Sequence, residues 1–319
     1  MKNRKSYFSI ILLVSTIYSQ SITSNRDLSF EYVATIDSLD NEGFAISGDR
    51  MYTIFPGTNN SVDGASLLSI VDLTTLAVIA TFGPVNGSYN NSGYPDIIDV
   101  FDNIVVVDGL LFLDVSDDEI VNLGNNFIES SFGVAASMDT YKKDNFLYRA
   151  IQSIGFGVYD MTDPLSPVTV HEQQINGNYP YGIYANDDYI VVCDVGVRKT
   201  FIFENGGDYS QLGEIYISSN HPHRTAIHGD LLYTASGHIY DISDPANPVE
   251  IEDHSYSGGT SNGQMKIVGD YLLTAKGGHR GNLTERAQVF DIADYQDIEL
   301  IASFEDTLPS YGIDLVRGN

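Results

Sequence analysis

The segment HPHR, from His221 to Arg224, carries the residues of this chain that are best suited to chemistry. Neutral imidazole is a common zinc ligand, so His221 and His223 are candidate metal ligands, and His223 is also a candidate general base. His228 follows on a predicted strand, where alternation of side chains places it on the opposite face from His223. A metal site, general-base catalysis, and a structural or ligand-binding loop are the competing interpretations of this segment.

HPHR is one of six short segments that lead into predicted strands at similar places in a repeated pattern. If these segments meet around one opening, their side chains would line a single ligand pocket. The candidate pocket residues are Glu42, Asp96, Tyr181, His223, Arg224, Gln264 and Tyr311. A catalytic version would use His223 as base, with Asp96, Glu42 or Arg224 in support. No catalytic residue is assigned, because the sequence has no H-E-x-x-H motif or phosphate-binding glycine loop.

The elements that would position these residues are strands, and their first sign is a recurring pair of turn residues between two apolar runs. Such pairs favour tight β-hairpins. The pairs are Gly48-Asp49, Asp102-Asn103, Asp144-Asn145, Asp187-Asp188, Gly229-Asp230, Gly269-Asp270 and Gly318-Asn319. They recur at intervals of roughly 40 to 54 residues, the period of four-stranded propeller blades, and no comparable window shows the helical period.

The second recurring signal follows each hairpin and ends on an acidic residue. The acids are Asp72, Asp114, Asp160, Glu204, Asp241 and Asp291. Aspartate accepts backbone N–H groups inside turns, so these residues are predicted to cap the turn between a third and a fourth strand. No calcium-loop motif accompanies them, so Ca²⁺ is a candidate ion only and the cofactor is otherwise unassigned.

Three of these segments resemble the LVIVD repeat: GHIYDISDPANPVEI, GFGVYDMTDPLSPVTV and GLLFLDVSDDEIVNL. The resemblance covers roughly residues 41 to 304. It implies a secreted or surface β-propeller. It implies no catalytic residue, because the matching residues are turn and core positions.

The predicted fold is therefore all-β, a single β-propeller over residues 22–319 built from four-stranded blades. Six complete blades are predicted near residues 41–83, 94–128, 133–174, 179–218, 221–256 and 262–304. A partial seventh blade would combine residues 310–319 with an outer strand from residues 30–37, which would close the ring. Because Gly318-Asn319 falls in the middle of a hairpin signal, a longer natural product is expected, and a six-bladed ring is the alternative.

An export signal is predicted at residues 1–21. Lys2, Arg4 and Lys5 precede an apolar run from Phe8 to Ile17 that is too short to span a bilayer, which needs about 20 residues. The mature chain is expected to be secreted or on the cell surface without membrane insertion. Four sequons would carry glycans only in a glycosylating eukaryote: Asn59, Asn86, Asn90 and Asn282.

Net charge limits the possible partners of the chain, and cysteine content limits its possible disulfides. The formal net charge is −27, and loss of the three basic leader residues would make it about −30. Such a surface repels nucleic acid and anionic lipid. It is typical of a protein that stays soluble in a salty environment outside the cell. Cys193 is the only cysteine and lies in the strand-like run YIVVCDVG, which predicts a buried thiol and excludes an intramolecular disulfide.

The favoured function is an extracellular module that binds a glycan, peptide or protein. Tyrosine suits contact surfaces because its ring is amphipathic, and the chain has 21 tyrosines and no tryptophan. The alternative is a propeller hydrolase or lyase that acts on a small extracellular substrate through His223.

Overall fold

The structure is a computed structural model. It describes residues 7–10, 34–37, 43–55, 65–86, 97–109, 111–116, 119–124, 137–177, 179–217, 223–251, 264–276 and 285–306. Within these ranges every regular element is a β-strand, and none contains a helix long and apolar enough to cross a membrane.

Two short strands near the N-terminus pair with each other, and the other strands form six four-stranded antiparallel sheets in chain order. The N-terminal pair is β1 (Tyr7–Ile10) and β2 (Ala34–Asp37). The first two sheets contain β3 (Gly43–Ser47), β4 (Arg50–Phe55), β5 (Ala65–Asp72) and β6 (Ala77–Asn86), then β7 (Ile98–Phe101), β8 (Ile104–Val107), β9 (Leu111–Asp114) and β10 (Val121–Gly124). The next two contain β11 (Ser137–Lys143), β12 (Phe146–Ile151), β13 (Gly155–Asp160) and β14 (Val168–Gln174), then β15 (Pro180–Ala185), β16 (Tyr189–Asp194), β17 (Lys199–Glu204) and β18 (Gln211–Tyr216). The last two contain β19 (Thr225–His228), β20 (Leu231–Thr234), β21 (Ile239–Asp241) and β22 (Val249–Glu250), then β23 (Gln264–Val268), β24 (Tyr271–Lys276), β25 (Glu285–Asp291) and β26 (Glu299–Asp306).

The first strands of consecutive sheets contact each other in the order β3, β7, β11, β15, β19 and β23. Sheets whose first strands line a common axis are the blades of a β-propeller. The predicted all-β propeller class is therefore confirmed, with six four-stranded blades in the described residues.

The strand expected to close the ring has a partner in the predicted leader. Ala34–Asp37 is a strand, and it pairs antiparallel with Tyr7–Ile10, from Tyr7 opposite Asp37 to Ile10 opposite Ala34. Residues 30–33 and 310–319 lie outside the described residues, so the partial seventh blade stays a prediction. Export with cleavage after residue 21 would remove β1 from this pair.

The core lies between neighbouring blades. One cluster joins the first and second blades through residues such as Ile54, Leu68 and Val107, and another joins the third and fourth through Phe156 and Phe203. Middle strands are covered on both faces, so β8 (IVVV) is apolar throughout and every residue of it is buried. Outer strands are mostly half-buried or exposed, and the exposed residues of β14 include Val168 and Val170.

A backbone hydrogen bond joins the two recurring sequence signals in every described blade. The residue after the third strand donates its N–H to the carbonyl of the second hairpin residue, at 2.7 to 2.8 Å. The donor and acceptor pairs are Leu73 and Asp49, Val115 and Asn103, Met161 and Asn145, Asn205 and Asp188, Ile242 and Asp230, and Ile292 and Asp270. The two turns of each blade therefore lie at the same end of the molecule.

The acids at the ends of the third strands are turn caps, as predicted. Asp114, Asp160, Asp241 and Asp291 each accept the backbone N–H two residues onward, at 2.8 to 3.0 Å. Asp72 accepts the N–H groups of Thr74 and Thr75. Hydrogen bonds in these turns hold the pKa values of Asp72, Asp114 and Asp241 below the usual value.

Glu204 is the exception among the predicted turn caps. It is the last residue of β17, its side chain is longer than that of aspartate, and the turn after it is wider. Its own N–H donates to the Ser210 carbonyl, and Gly206 and Gly207 take positive φ values within the turn.

Candidate functional site at the channel mouth

Three aromatic rings meet at the end of the propeller opposite the hairpin turns. The Tyr181 ring meets the His223 ring edge-on, with centroids 4.6 Å apart and planes at 83°. The Tyr179 ring lies 6.4 Å from Tyr181 with planes at 26°. All three side chains are partly exposed. We call Tyr179, Tyr181 and His223 the aromatic shelf.

Tyr179 is held by the buried carboxylate of Asp194, at the end of β16. Asp194 Oδ2 accepts the Tyr179 N–H at 2.8 Å, and its Oδ1 accepts the N–H groups of Gly196 and Val197. The Tyr179 carbonyl accepts the Val195 N–H at 3.1 Å. Both backbone groups of Tyr179 are therefore tied to the second strand of its own blade.

Tyr181 occupies a β-bulge. Pro180 is opposite Asp194 and Gly182 is opposite Cys193, so Tyr181 is an additional residue on β15. A bulge interrupts the alternation of side chains and turns the extra residue in a new direction. The sequence pattern predicts that Tyr181 lies at the pocket, but it does not predict the bulge.

His223 is positioned by the close approach of two backbones. A Cβ on Gly182 would lie 2.0 Å from the His223 carbonyl oxygen, so the chain passes here only because residue 182 is glycine. On the other side, the Arg224 carbonyl accepts the Ala235 N–H at 2.9 Å. His223 is thus fixed between the fourth blade and the second strand of the fifth.

Arg224 forms an ion pair that spans three blades. Its Nε and Nη2 donate to the two carboxylate oxygens of Asp139, each at 3.3 Å. Asp139 also accepts the Ile183 N–H at 3.2 Å, which links the third, fourth and fifth blades at one carboxylate. Gly182 lies at the corresponding place on the blade between them, and its Cβ would come within 3.2 Å of Arg224 Cγ. The guanidinium charge is therefore balanced by a buried carboxylate.

The structure brings together some of the predicted pocket residues. Tyr181, His223 and Arg224 lie side by side on adjacent blades. Gln264 is the first residue of β23, and only its backbone is described. Glu42, Asp96, His221 and Tyr311 lie outside the described residues, as do the sequons Asn59, Asn90 and Asn282, while Asn86 is the last residue of β6.

His228 is separated from the shelf by the length of β19. Its Nε2 lies 3.5 Å from Asp270 on the next blade, at the hairpin end. The described ranges contain no group of three His, Cys, Asp or Glu side chains arranged to hold a metal ion. The two-histidine metal site depends on His221 and stays a prediction.

Sequence reasoning missed Asp139, Tyr179 and Asp194. A signal for the ion pair was present, because Asp139, Gly182 and Arg224 each stand five residues before the first hairpin residue of their blades. Residues at the same register on neighbouring inner strands lie at the same level of the channel. An acid and a base flanking a glycine at that level indicate a bridge across the middle blade.

Cys193 is a core residue and not part of a reactive site. It is fully buried between Thr200, whose hydroxyl donates to the sulfur at 3.8 Å, and Thr225, whose hydroxyl oxygen lies 3.7 Å away. Burial raises the pKa of the thiol to about 12, so the thiolate needed for nucleophilic attack is scarce at neutral pH. The predicted buried thiol is confirmed.

Comparison with solved structures supports the fold. No family model matches the chain, and no curated protein sequence matches it either. A putative 6-phosphogluconolactonase from Bacteroides uniformis is similar in structure, with a TM-score of 0.58 and 13% identity over 89% of each chain. One from Bacteroides fragilis has a TM-score of 0.55 and 10% identity over 88% of this chain and 90% of that chain. The computationally designed Ika8 protein has a TM-score of 0.52 and 10% identity over 83% of this chain and 74% of that chain. At these identities the likeness shows a shared propeller-like fold and nothing about activity.

Proposed function

We propose that this chain is an extracellular binding module that holds its ligand on the aromatic shelf at the mouth of the propeller channel. The observation that most directly supports this proposal is that Tyr179, Tyr181 and His223 are each fixed by a separate backbone constraint while remaining partly exposed. A site that is ordered before binding loses less conformational entropy when the ligand arrives. The extracellular location rests on the export signal that the sequence predicts at residues 1–21.

The chemistry of the mouth favours binding over catalysis. Arg224 is committed to Asp139, so it does not offer an unbalanced positive charge to a reacting oxyanion. Asp139 in turn is bonded to Arg224 and to the Ile183 N–H, which leaves it poorly suited to act as a base. Aromatic contact area with a few oriented polar groups is typical of ligand recognition.

The test is a binding screen on a printed array of glycans and peptides, using the wild type, Tyr181→Ala and Tyr216→Ala. Tyr216 is a matched control because it is a tyrosine on the outer strand β18 with 61% of its surface exposed. We expect the wild type to bind at least one class of probe, Tyr181→Ala to bind it about tenfold or more weakly, and Tyr216→Ala to bind normally. Loss of binding in Tyr216→Ala alone would move the site to the rim and overturn the proposal.

A hydrolase is the second candidate, because the imidazole of His223 is partly exposed at the channel mouth. A lactone is a convenient test substrate, since two proteins of similar fold are putative 6-phosphogluconolactonases. It would use His223 as base with Asp96 or Glu42 in support. Hydrolysis of glucono-δ-lactone by the wild type, with His223→Ala inactive but equally stable, would replace the binding proposal with this one. An unaltered rate in His223→Ala would exclude His223 from the chemistry.

A further inference from the structure

We infer that the ligand of the aromatic shelf is an uncharged sugar, which rests on the proposed binding function and narrows it to one chemical class. A sugar ring has C–H groups on its faces and hydroxyl groups around its edge. A tyrosine ring is amphipathic in the same way, with an apolar face and a polar hydroxyl. The two tyrosine rings of the shelf are inclined by only 26°, and His223 stands nearly perpendicular to Tyr181. Two aromatic rings of similar orientation thus lie next to each other, with an imidazole ring at a steep angle beside them.

The charges around the shelf argue against an anionic ligand. The positive side chain beside His223 is Arg224, and its two nitrogens Nε and Nη2 are bonded to the carboxylate of Asp139. The side chain of Asp139 is 2% exposed, so the carboxylate is held in place rather than exchanging with solvent ions. A net charge of −27 adds a long-range repulsion against anions. A sugar phosphate or a uronate would therefore approach a negative protein and find the local guanidinium already neutralised.

The backbone around the shelf argues against an extended peptide. Peptides that add to a sheet are held mainly by main-chain hydrogen bonds. Beside the shelf, the N–H and carbonyl of Tyr179 are bonded to Asp194 and Val195, and the carbonyl of Arg224 is bonded to Ala235. These three backbone groups are therefore already bonded, which favours recognition through the aromatic side chains of the shelf.

The experiment measures binding of matched tetrasaccharides and a tetrapeptide to the full chain by titration calorimetry. The probes are neutral tetragalactose, anionic tetragalacturonate and tetra-alanine, tested on the wild type, Tyr181→Ala and Tyr216→Ala. We expect tetragalactose to bind the wild type at least about fivefold more tightly than tetragalacturonate, and Tyr181→Ala to lose that binding while Tyr216→Ala keeps it.

The outcomes separate the two proposals. Tyr181-dependent binding of tetra-alanine without binding of tetragalactose would overturn the sugar inference and leave the binding function intact. Binding of no probe on this panel or on the array would overturn both. Tighter binding of tetragalacturonate than of tetragalactose would contradict the argument from charge.

Asp139→Asn tests the neutralisation of Arg224 directly. The amide oxygen can still accept the Ile183 N–H, but the guanidinium charge is no longer balanced. We expect the variant to bind tetragalacturonate at least about fivefold more tightly than the wild type does. Unchanged affinity would overturn the role assigned to the ion pair.

A measurement on the wild type covers the case in which Asp139→Asn does not fold. At 0.5 M NaCl the long-range repulsion is screened, because the Debye length falls to about 4 Å. A preference for tetragalactose that persists at this salt concentration supports local neutralisation at Arg224. Loss of the preference would assign it to net charge alone and overturn the local argument.

Discussion

Gly182 is the residue on which the geometry of the channel mouth depends most directly. Its position opposite the His223 carbonyl leaves no space for a side chain, and the atom in the way belongs to backbone that cannot rotate aside. The same missing side chain lets Arg224 reach Asp139 across the middle blade. One glycine therefore supports both the shelf and the ion pair.

We expect Gly182→Ala to lower the free energy of unfolding by about 1 to 3 kcal/mol, because the added methyl group overpacks two backbones. Chemical denaturation measures the loss. Gly213→Ala is the matched control, since its Cβ would meet the Pro245 carbonyl oxygen at 1.7 Å on the outer part of the same blade. Both variants should lose stability, but only Gly182→Ala should also change the binding of the shelf ligand. Equal binding in both variants would contradict the role of Gly182 at the mouth.

Cys193 gives a second prediction at the scale of one residue. Because the thiol is fully buried and its pKa is raised to about 12, a thiol reagent such as 5,5′-dithiobis(2-nitrobenzoate) should not modify the native protein at pH 8. One equivalent should react once the chain is unfolded in guanidinium chloride. Rapid stoichiometric modification of the native protein would show that the thiol is accessible.

At the scale of the element, the hairpin between the first and second strands is the most regular unit of the molecule. Its first turn residue takes a positive φ of 49 to 61° in five described blades, whether that residue is glycine, as at Gly48, Gly229 and Gly269, or aspartate, as at Asp102 and Asp144. Glycine adopts this conformation without steric cost, whereas an aspartate side chain crowds the following carbonyl. The aspartate hairpins therefore hold a small strain that the glycine hairpins do not.

We expect Asp102→Gly to raise the free energy of unfolding by about 0.5 kcal/mol, because relief of the left-handed strain slightly exceeds the added flexibility of the unfolded chain. The opposite change, Gly229→Ala, should lower it by about 1 kcal/mol. A Cβ at Gly229 meets no atom within 4 Å, so this cost is conformational alone. Denaturation curves of the two variants should shift in opposite directions, and a shift in the same direction would contradict the account of the turn.

At the scale of the whole molecule, the hairpin end of the propeller is acidic. The hairpin turns and the turns between third and fourth strands share that end, and both carry aspartates in most blades. Each capping aspartate is stabilised by its own N–H bonds, but the ring of carboxylates repels itself through solvent. Capping of these aspartates thus stabilises the fold, whereas the repulsion among them destabilises it.

We expect NaCl to raise the thermal midpoint by several degrees between 10 and 500 mM, because salt screens the repulsion among the carboxylates. CaCl₂ at equal ionic strength should give the same midpoint to within about 1 °C if its effect is only screening. Scanning calorimetry in the two salts decides the matter. A clear excess stabilisation by calcium would instead establish a specific calcium site.

The fold class could be predicted from the sequence because each repeat unit is stabilised by local interactions. Turn residues at Gly229-Asp230 and capping acids such as Asp241 act through bonds within their own turns or to the adjacent turn of the same blade. Apolar runs such as β8 indicate burial on both faces, even when the neighbouring strands are not known. A pattern that is satisfied within one blade can be recognised in the sequence of that blade.

Side-chain and backbone contacts between strands, both within a blade and between blades, appear only in the tertiary structure. The bulge at Tyr181, the bond from Asp194 to Tyr179 and the bridge from Asp139 to Arg224 depend on which strands lie side by side. Arg149 is the plainest case, since a charged residue in the run FLYRAI is fully buried, bonded to Ser137 Oγ at 2.9 Å and set over the Tyr159 ring at 5.4 Å. The physical reason is that local propensity acts over a few residues, whereas these side chains are fixed by partners 10 to 85 residues away.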